Sequence, residues 1–160
     1  MYKVCTYKYK SFKKEGKAMQ EENYQIVERA PTIEEYSALR KGVGWMLFDE
    51  EMTAQGLANA LFSVCILHQR EVIGCGRVVG DGGLYFYVQD LIILPTFQGK
   101  GLGKRLMQAI TAYLDKHAHP GAFIGLMAAK DVGPFYTQFG FTVRPPDEPE
   151  NHFRNVIDQK

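Results

Sequence analysis

One segment constrains the rest of this chain: Asp90-Leu-Ile-Ile-Leu-Pro95-Thr-Phe-Gln98-Gly99-Lys100-Gly101-Leu102-Gly103-Lys104. An apolar run suited to a strand ends at Pro95, and glycines follow at 99, 101 and 103. After them Leu102, Leu106, Ile110, Tyr113 and Leu114 recur every three or four residues, the apolar stripe of a helix over about 101–116. A helix that opens in glycines exposes first-turn N–H groups that have no acceptor of their own. Its dipole places partial positive charge at the same point. Lys100, Lys104 and Arg105 add full charges, so the segment predicts a phosphate or pyrophosphate site. Two common phosphate motifs are excluded. A P-loop needs Gly-Lys-Ser/Thr, but Arg105 follows Lys104 and Gln98 stands where the first glycine should be. The dinucleotide pattern GxGxxG fails at Leu106 after Gly101 and Gly103, and at Val79 after Gly74 and Gly76.

The flanking sequence reads as one α/β (α+β) domain over residues 23–160. Residues 24–29 suit a short strand. Thr32, after Pro31 and three before Glu35, forms a capping-box signature for a helix through Tyr36 and Leu39 to Arg40. A second short helix is expected over 53–60. Three strand-like runs follow at 61–68, 72–79 and 84–94, punctuated by Arg70-Glu71 and Asp81-Gly82-Gly83 as in an antiparallel meander. Beyond His119-Pro120-Gly121 come a strand at 123–127, a short helix around 131–138 and a last strand from Phe141. A proline-rich acidic loop spans 145–150. Residues 1–22 read as a poorly ordered basic extension. An edge strand at 2–9 is the weaker alternative, because that stretch is poor in aliphatic residues.

Charge and cysteine content narrow the function. The 160 residues hold 19 bases and 18 acids; six lysines and one acid fall in residues 1–17, leaving 13 bases and 17 acids in the body. An acidic body argues against a nucleic-acid-binding surface. Cys5, Cys65 and Cys75 are odd in number and lack CxxC spacing, so neither a disulfide framework nor a zinc knuckle is expected. His117-x-His119 lacks a third ligand in register, and no metal is expected. There is no run long enough to span a membrane and no apolar leader, which suggests a cytoplasmic protein with no membrane partner.

The pattern Gln98-Gly99-Lys100-Gly101-Leu102-Gly103, after a strand ending in Leu91-Ile92-Ile93-Leu94-Pro95, resembles the GNAT superfamily of acetyl-CoA-dependent N-acetyltransferases. A second block, Pro134-Phe135-Tyr136-Thr137-Gln138-Phe139-Gly140-Phe141, resembles that family's C-terminal FYxxxGF element, and the element order fits from about 24 to 143. The resemblance implies a mixed, mostly antiparallel central sheet flanked by helices on both faces, with acetyl-CoA as co-substrate. It implies that the amides of Gln98, Gly99, Lys100, Gly101, Leu102 and Gly103, with Lys104 beside them, hold the CoA pyrophosphate. The backbone of Leu91, Ile92 and Ile93 would pair with the pantetheine arm as an added strand.

Acetyl transfer requires a neutral amine, a stabilised oxyanion and a protonated leaving thiolate. Tyr136 is the candidate for the last role, as the matching tyrosine is in the family: a phenol of pKa about 10 can protonate a thiolate when well positioned. Asp90 is the candidate base because a carboxylate inside an apolar strand needs a reason to be there. Glu51, Asp49, His68 and Tyr87 are rivals, as is a water relay. Cys75 is the rival for a covalent route. Trp45, Phe48 and Glu51 would meet the acceptor, and the run Asp49-Glu50-Glu51 suits a cationic amine unless it is simply a solvated helix start. These readings point to an N-acetyltransferase acting on a small-molecule primary amine by direct attack. A peptide or protein N-acetyltransferase is one alternative, and a CoA-binding sensor or interaction module of the same fold is another. A homodimer is left open.

Overall fold

The computed structural model describes residues 3–7, 23–129 and 131–143. In chain order the elements are β1 (Lys3–Tyr7), β2 (Tyr24–Val27), α1 (Ile33–Gly42), α2 (Glu50–Ala58), β3 (Phe62–His68), β4 (Glu71–Gly80) and β5 (Tyr85–Ile93). Then follow α3 (Leu102–His117), β6 (Phe123–Ala128), α4 (Gly133–Thr137) and β7 (Phe141–Val143). The strands form one sheet in the order β2-β3-β4-β5-β6-β1-β7. Its only parallel pair among the described residues is β5 with β6. The expected mixed, mostly antiparallel sheet is what forms.

Residues 3–7 correct the reading of the whole N-terminus as an unpacked extension. They form β1, antiparallel to β6 (Val4 opposite Met127) and to β7 (Thr6 opposite Thr142). Strand pairing runs through main-chain groups, so a segment poor in aliphatic side chains can fill a slot between two strand edges. Residues 8–22, and the loop expected at 145–150, lie outside the described residues.

Helices cover both faces. The periodic side chains of α3 (Leu102, Leu106, Met107, Ile110 and Leu114) are buried against Val64, Val78, Phe86 and Val88. On the opposite face Leu39 of α1 packs on Cys65, Cys75 and Ile92. Thr32 caps α1 as expected: its hydroxyl accepts from Glu35 N, and the Glu35 carboxylate accepts from Thr32 N. None of the described helices is long and apolar enough to cross a membrane.

Two irregularities of β5 create the space for a site. First, its parallel pairing with β6 ends at Val88 opposite Leu126, after which β5 stays with β4 and β6 continues along β1. The sheet therefore splits in the middle. Second, β5 carries a bulge: Cys75 faces Ile92 and Arg77 faces Gln89, so Gly76 spans Asp90 and Leu91 together. Asp90 takes φ +53°, a left-handed conformation that Asp tolerates better than most residues. The bulge re-aims the strand. Phe86 and Val88 face α3 before it, while Asp90 and Ile92 face α1 after it.

Candidate active site

The split holds a cleft of about 990 Å3. One wall is the end of β5, including Gln89, Leu91, Ile92 and Ile93; the other is β6 and α4, with Met127, Val132 and Tyr136. The loop before α3, and Arg40 with the residues after α1, complete the lining.

At the α3 end, Gly99 and Gly101 have φ of +76° and +75°, and nothing lies within 4 Å of where a Cβ would stand at either position. The loop turns left-handed twice and leaves open space. The first turn-closing bond of α3 runs from Arg105 N to Gly101 O at 3.3 Å, so the preceding amides of Leu102, Gly103 and Lys104 are the orphan donors of the helix start. This geometry fits an anion. Two bases expected there have further tasks: Lys100 Nζ lies 3.2 Å from Tyr24 Oη, and Arg105 Nη2 donates to Tyr24 O at 3.1 Å, tying β2 to the loop. Lys104 is exposed beside them. Gln98 contributes its side chain as well, because its Nε2 donates to Ile93 O at 2.9 Å and so occupies one main-chain acceptor of the expected pantetheine strand.

Tyr136 lies on α4, whose first turn is set by Pro134. It is only 8% exposed, stands edge-on to Phe135 and Phe141, and presents itself to the cleft between the two halves of the sheet.

Asp90 sits opposite, and its surroundings favour a counter-ion over the expected general base. It is 4% exposed. Oδ2 accepts from Arg77 Nη2 at 2.6 Å, from Arg77 Nε at 2.9 Å and from Tyr36 Oη at 2.9 Å; Oδ1 accepts from Arg40 Nη1 at 3.2 Å. Three donors crowd Oδ2 and one reaches Oδ1, so the carboxylate is committed chiefly to charge pairing within the fold. Asp90 is the counter-ion that pins the bulge to α1, and Arg77 extends the tie to α2 by donating to Gly56 O at 2.7 Å. Burial, and then the Asp90 charge, raise the Tyr36 phenol above its ordinary range, so Tyr36 serves as a neutral donor. Burial likewise raises the thiol of Cys75, which has no exposed surface and lies 3.5 Å from Asp90 O.

For the acidic cluster, the alternative of a solvated helix start is the one that forms. Asp49 is the N-cap of α2, its Oδ1 accepting from Met52 N at 2.7 Å, and Glu50 and Glu51 are exposed in the first turn, where a helix dipole favours acids. None of the three lines the cleft, and neither do His68 and Tyr87. Trp45 does line it, while Phe48 lies beneath Arg40, its ring centre 4.5 Å from the guanidinium carbon. No group of three or more potential metal ligands occurs among the described residues.

Comparison with known proteins agrees with this geometry. The profile of the acetyltransferase (GNAT) domain matches residues 58–143, more than half of the chain. The chain belongs to the GNAT family. Similar relatives include the uncharacterized N-acetyltransferase ycf52 of Pyropia yezoensis, 29% identical over 71% of this chain and 66% of that protein. A ycf52-like protein of Prochlorococcus marinus is 31% identical over 69% of this chain and 63% of its own. The chain thus spans a little under two thirds of the length of these curated relatives. Among solved structures, a Staphylococcus aureus protein of unknown function superposes with TM-score 0.73 at 32% identity, covering 83% of this chain and 98% of that one.

Within the GNAT frame, sequence reasoning missed Arg40, Arg77 and Tyr36 as partners of Asp90. A signal was present: Arg77 is a lone charge in the apolar run Gly74–Val79, matching the lone Asp90 in the next strand, and Tyr36 and Arg40 are four apart on one helix face.

Proposed function

We propose that this chain transfers the acetyl group of acetyl-CoA directly to a primary amine of a small molecule, within one ternary complex. The observation that carries the reading is the split between β5 and β6, lined by the glycine loop and by Tyr136 in the wall that β6 and α4 form. CoA would lay its pyrophosphate on the amides of Gly99–Lys104 and its pantetheine arm along Leu91–Ile93. The cleft volume suits a small acceptor.

In the reaction, the neutral amine nitrogen attacks the thioester carbonyl carbon. A C–N bond forms, the carbonyl oxygen becomes an oxyanion, and collapse breaks the C–S bond. The leaving sulfur takes a proton from the Tyr136 hydroxyl. The nitrogen loses one to solvent, and Tyr136 is reprotonated in turn. Asp90 acts by position, since two guanidiniums and the Tyr36 phenol hold it, and Cys75 is too deeply buried and too weakly acidic to be an acyl carrier.

The test is CoA thiol release from acetyl-CoA across a panel of amines, comparing wild type with Tyr136→Phe. Removing a general acid should lower kcat by about 100-fold or more, with little change in the KM for acetyl-CoA. An unchanged kcat at every pH would overturn the role of Tyr136. Acetyl-CoA binding without turnover on any amine would favour a CoA-binding module instead.

A further inference from the structure

The acceptor end of the cleft differs in charge from the acidic pocket expected for a cationic amine. Arg40 and Arg77, each with a side chain 10% exposed, share one carboxylate, that of Asp90. The cluster therefore carries one positive charge in excess. Tyr36 supplies no compensating charge, and Asp49, Glu50 and Glu51 are spent at the start of α2, outside the cleft. Among the described residues that line the cleft, Asp90 is the one acid and Arg40 the one base.

Arg40 is also held so that one nitrogen of its guanidinium remains available. Nε donates to Met46 O at 2.8 Å, and Nη1 donates to Asp90 Oδ1 and to Tyr36 Oη, both at 3.2 Å. Nη2, with two further N–H donors, takes no part in these hydrogen bonds to the described residues. The rings of Phe48, Trp45 and Tyr36 lie 4.5, 5.3 and 5.5 Å from the guanidinium carbon and hold it in place. A fixed guanidinium nitrogen is suited to an oxyanion, which it meets with a charge-assisted hydrogen bond. Val43, Trp45 and Met46 surround it with apolar surface.

We propose that Arg40 selects the acceptor, and that the amine acetylated here carries an oxyanion, a carboxylate or a phosphonate-like group, together with an apolar or aromatic remainder. The proposal rests on the acetyl-transfer reading of the same cleft and names its substrate class. Binding such an anion neutralises the excess charge of the Arg40–Asp90–Arg77 cluster, whereas a purely cationic amine would add to it.

The test uses the full chain with matched acceptors: an aromatic α-amino carboxylate, its aminophosphonate analogue and the decarboxylated amine. Each is assayed for acetylation and for raising the melting temperature of the CoA complex. One or both oxyanion-bearing amines should be preferred by about 10- to 100-fold in kcat/KM. Arg40→Gln should abolish that preference, and Arg40→Lys should restore part of it. Should the variants fail to fold, the wild-type panel alone decides. Equal or better use of the decarboxylated amine overturns the proposal and leaves the transferase reading standing. Oxyanion ligands that stabilise the CoA complex through Arg40 without being acetylated would uphold the anion site and overturn the transferase reading. A loss in Arg40→Gln that is equal for every acceptor would assign the guanidinium to the thioester and overturn the proposal.

Discussion

Asp90 is the residue at which the two functions of a carboxylate, base and counter-ion, can be told apart. Its four hydrogen bonds join α1, β4 and the bulge of β5 through charges almost fully removed from water. Such a cluster is costly to assemble and costlier to break, because removing one partner leaves the others as unpaired buried charges. Asp90→Asn preserves shape but strands two guanidiniums. It should lower unfolding free energy by about 3–5 kcal/mol, read from denaturant midpoints at constant slope. A catalytic base would behave differently: the variant would keep wild-type stability and lose kcat with a displaced pH profile. That result would return Asp90 to the reacting groups. The thiols differ from the carboxylate in being simply buried, with Cys65 pushed up to about 11 by desolvation.

At the scale of elements, α1 shows how a local signal survives folding. The Thr32–Glu35 box forms as its spacing dictates, and Arg29 adds a paired contact to the Glu35 carboxylate at 2.7 and 2.8 Å. Replacing Thr32 with Ala should cost about 1 kcal/mol. The hydrogen bonds from Arg29 hold Glu35 below its ordinary range. A depressed carboxylate stabilises the fold above its unfolded pKa, and that contribution is lost as pH falls through the lower folded value. Between neutral pH and the acid range, the stability difference between wild type and Glu35→Gln should therefore shrink, as measured by melting temperature against pH. Apolar runs also located the three central strands, a helical period located α3 and glycine spacing located the loop, because each signal lies within the element itself. What it could not locate were features set by pairing across the chain: β1 between β6 and β7, the bulge at Asp90, and the assignment of Asp49 to a helix cap. The glycine loop offers a sharper test. Gly101→Ala must hold an L-residue at φ +75° at a cost of about 1–2 kcal/mol. Because no neighbour would meet the new methyl group, the change should raise the KM for acetyl-CoA while circular dichroism stays that of the wild type.

For the whole molecule, the decisive property is that the sheet is one sheet only in part. β2 to β5 lie under α1 and α3, whereas β6, β1 and β7 form a second half, joined to the first by the pairs from Tyr85–Phe123 to Val88–Leu126. A ligand bound along the cleft would touch both halves and replace the pairing the strands give up, so cofactor binding should report on global stability. The near-neutral charge of the chain is unevenly placed, with Lys100, Lys104 and Arg105 around the glycine loop and the Arg40–Asp90–Arg77 cluster at the β5 bulge. At a CoA concentration about 100 times its Kd, stability should rise by about 2.7 kcal/mol. For a chain of this length that is a melting temperature about 5–10 °C higher. Amide exchange should slow most in β6, α4 and the end of β5, where the halves part, and less in β2 and β3. ATP at equal concentration should give a smaller shift, because it can reach the loop amides without bridging the split. Equal shifts with ATP and CoA, or protection confined to the glycine loop, would mean that the cleft binds phosphate alone and that the parted strands take no part in holding the cofactor.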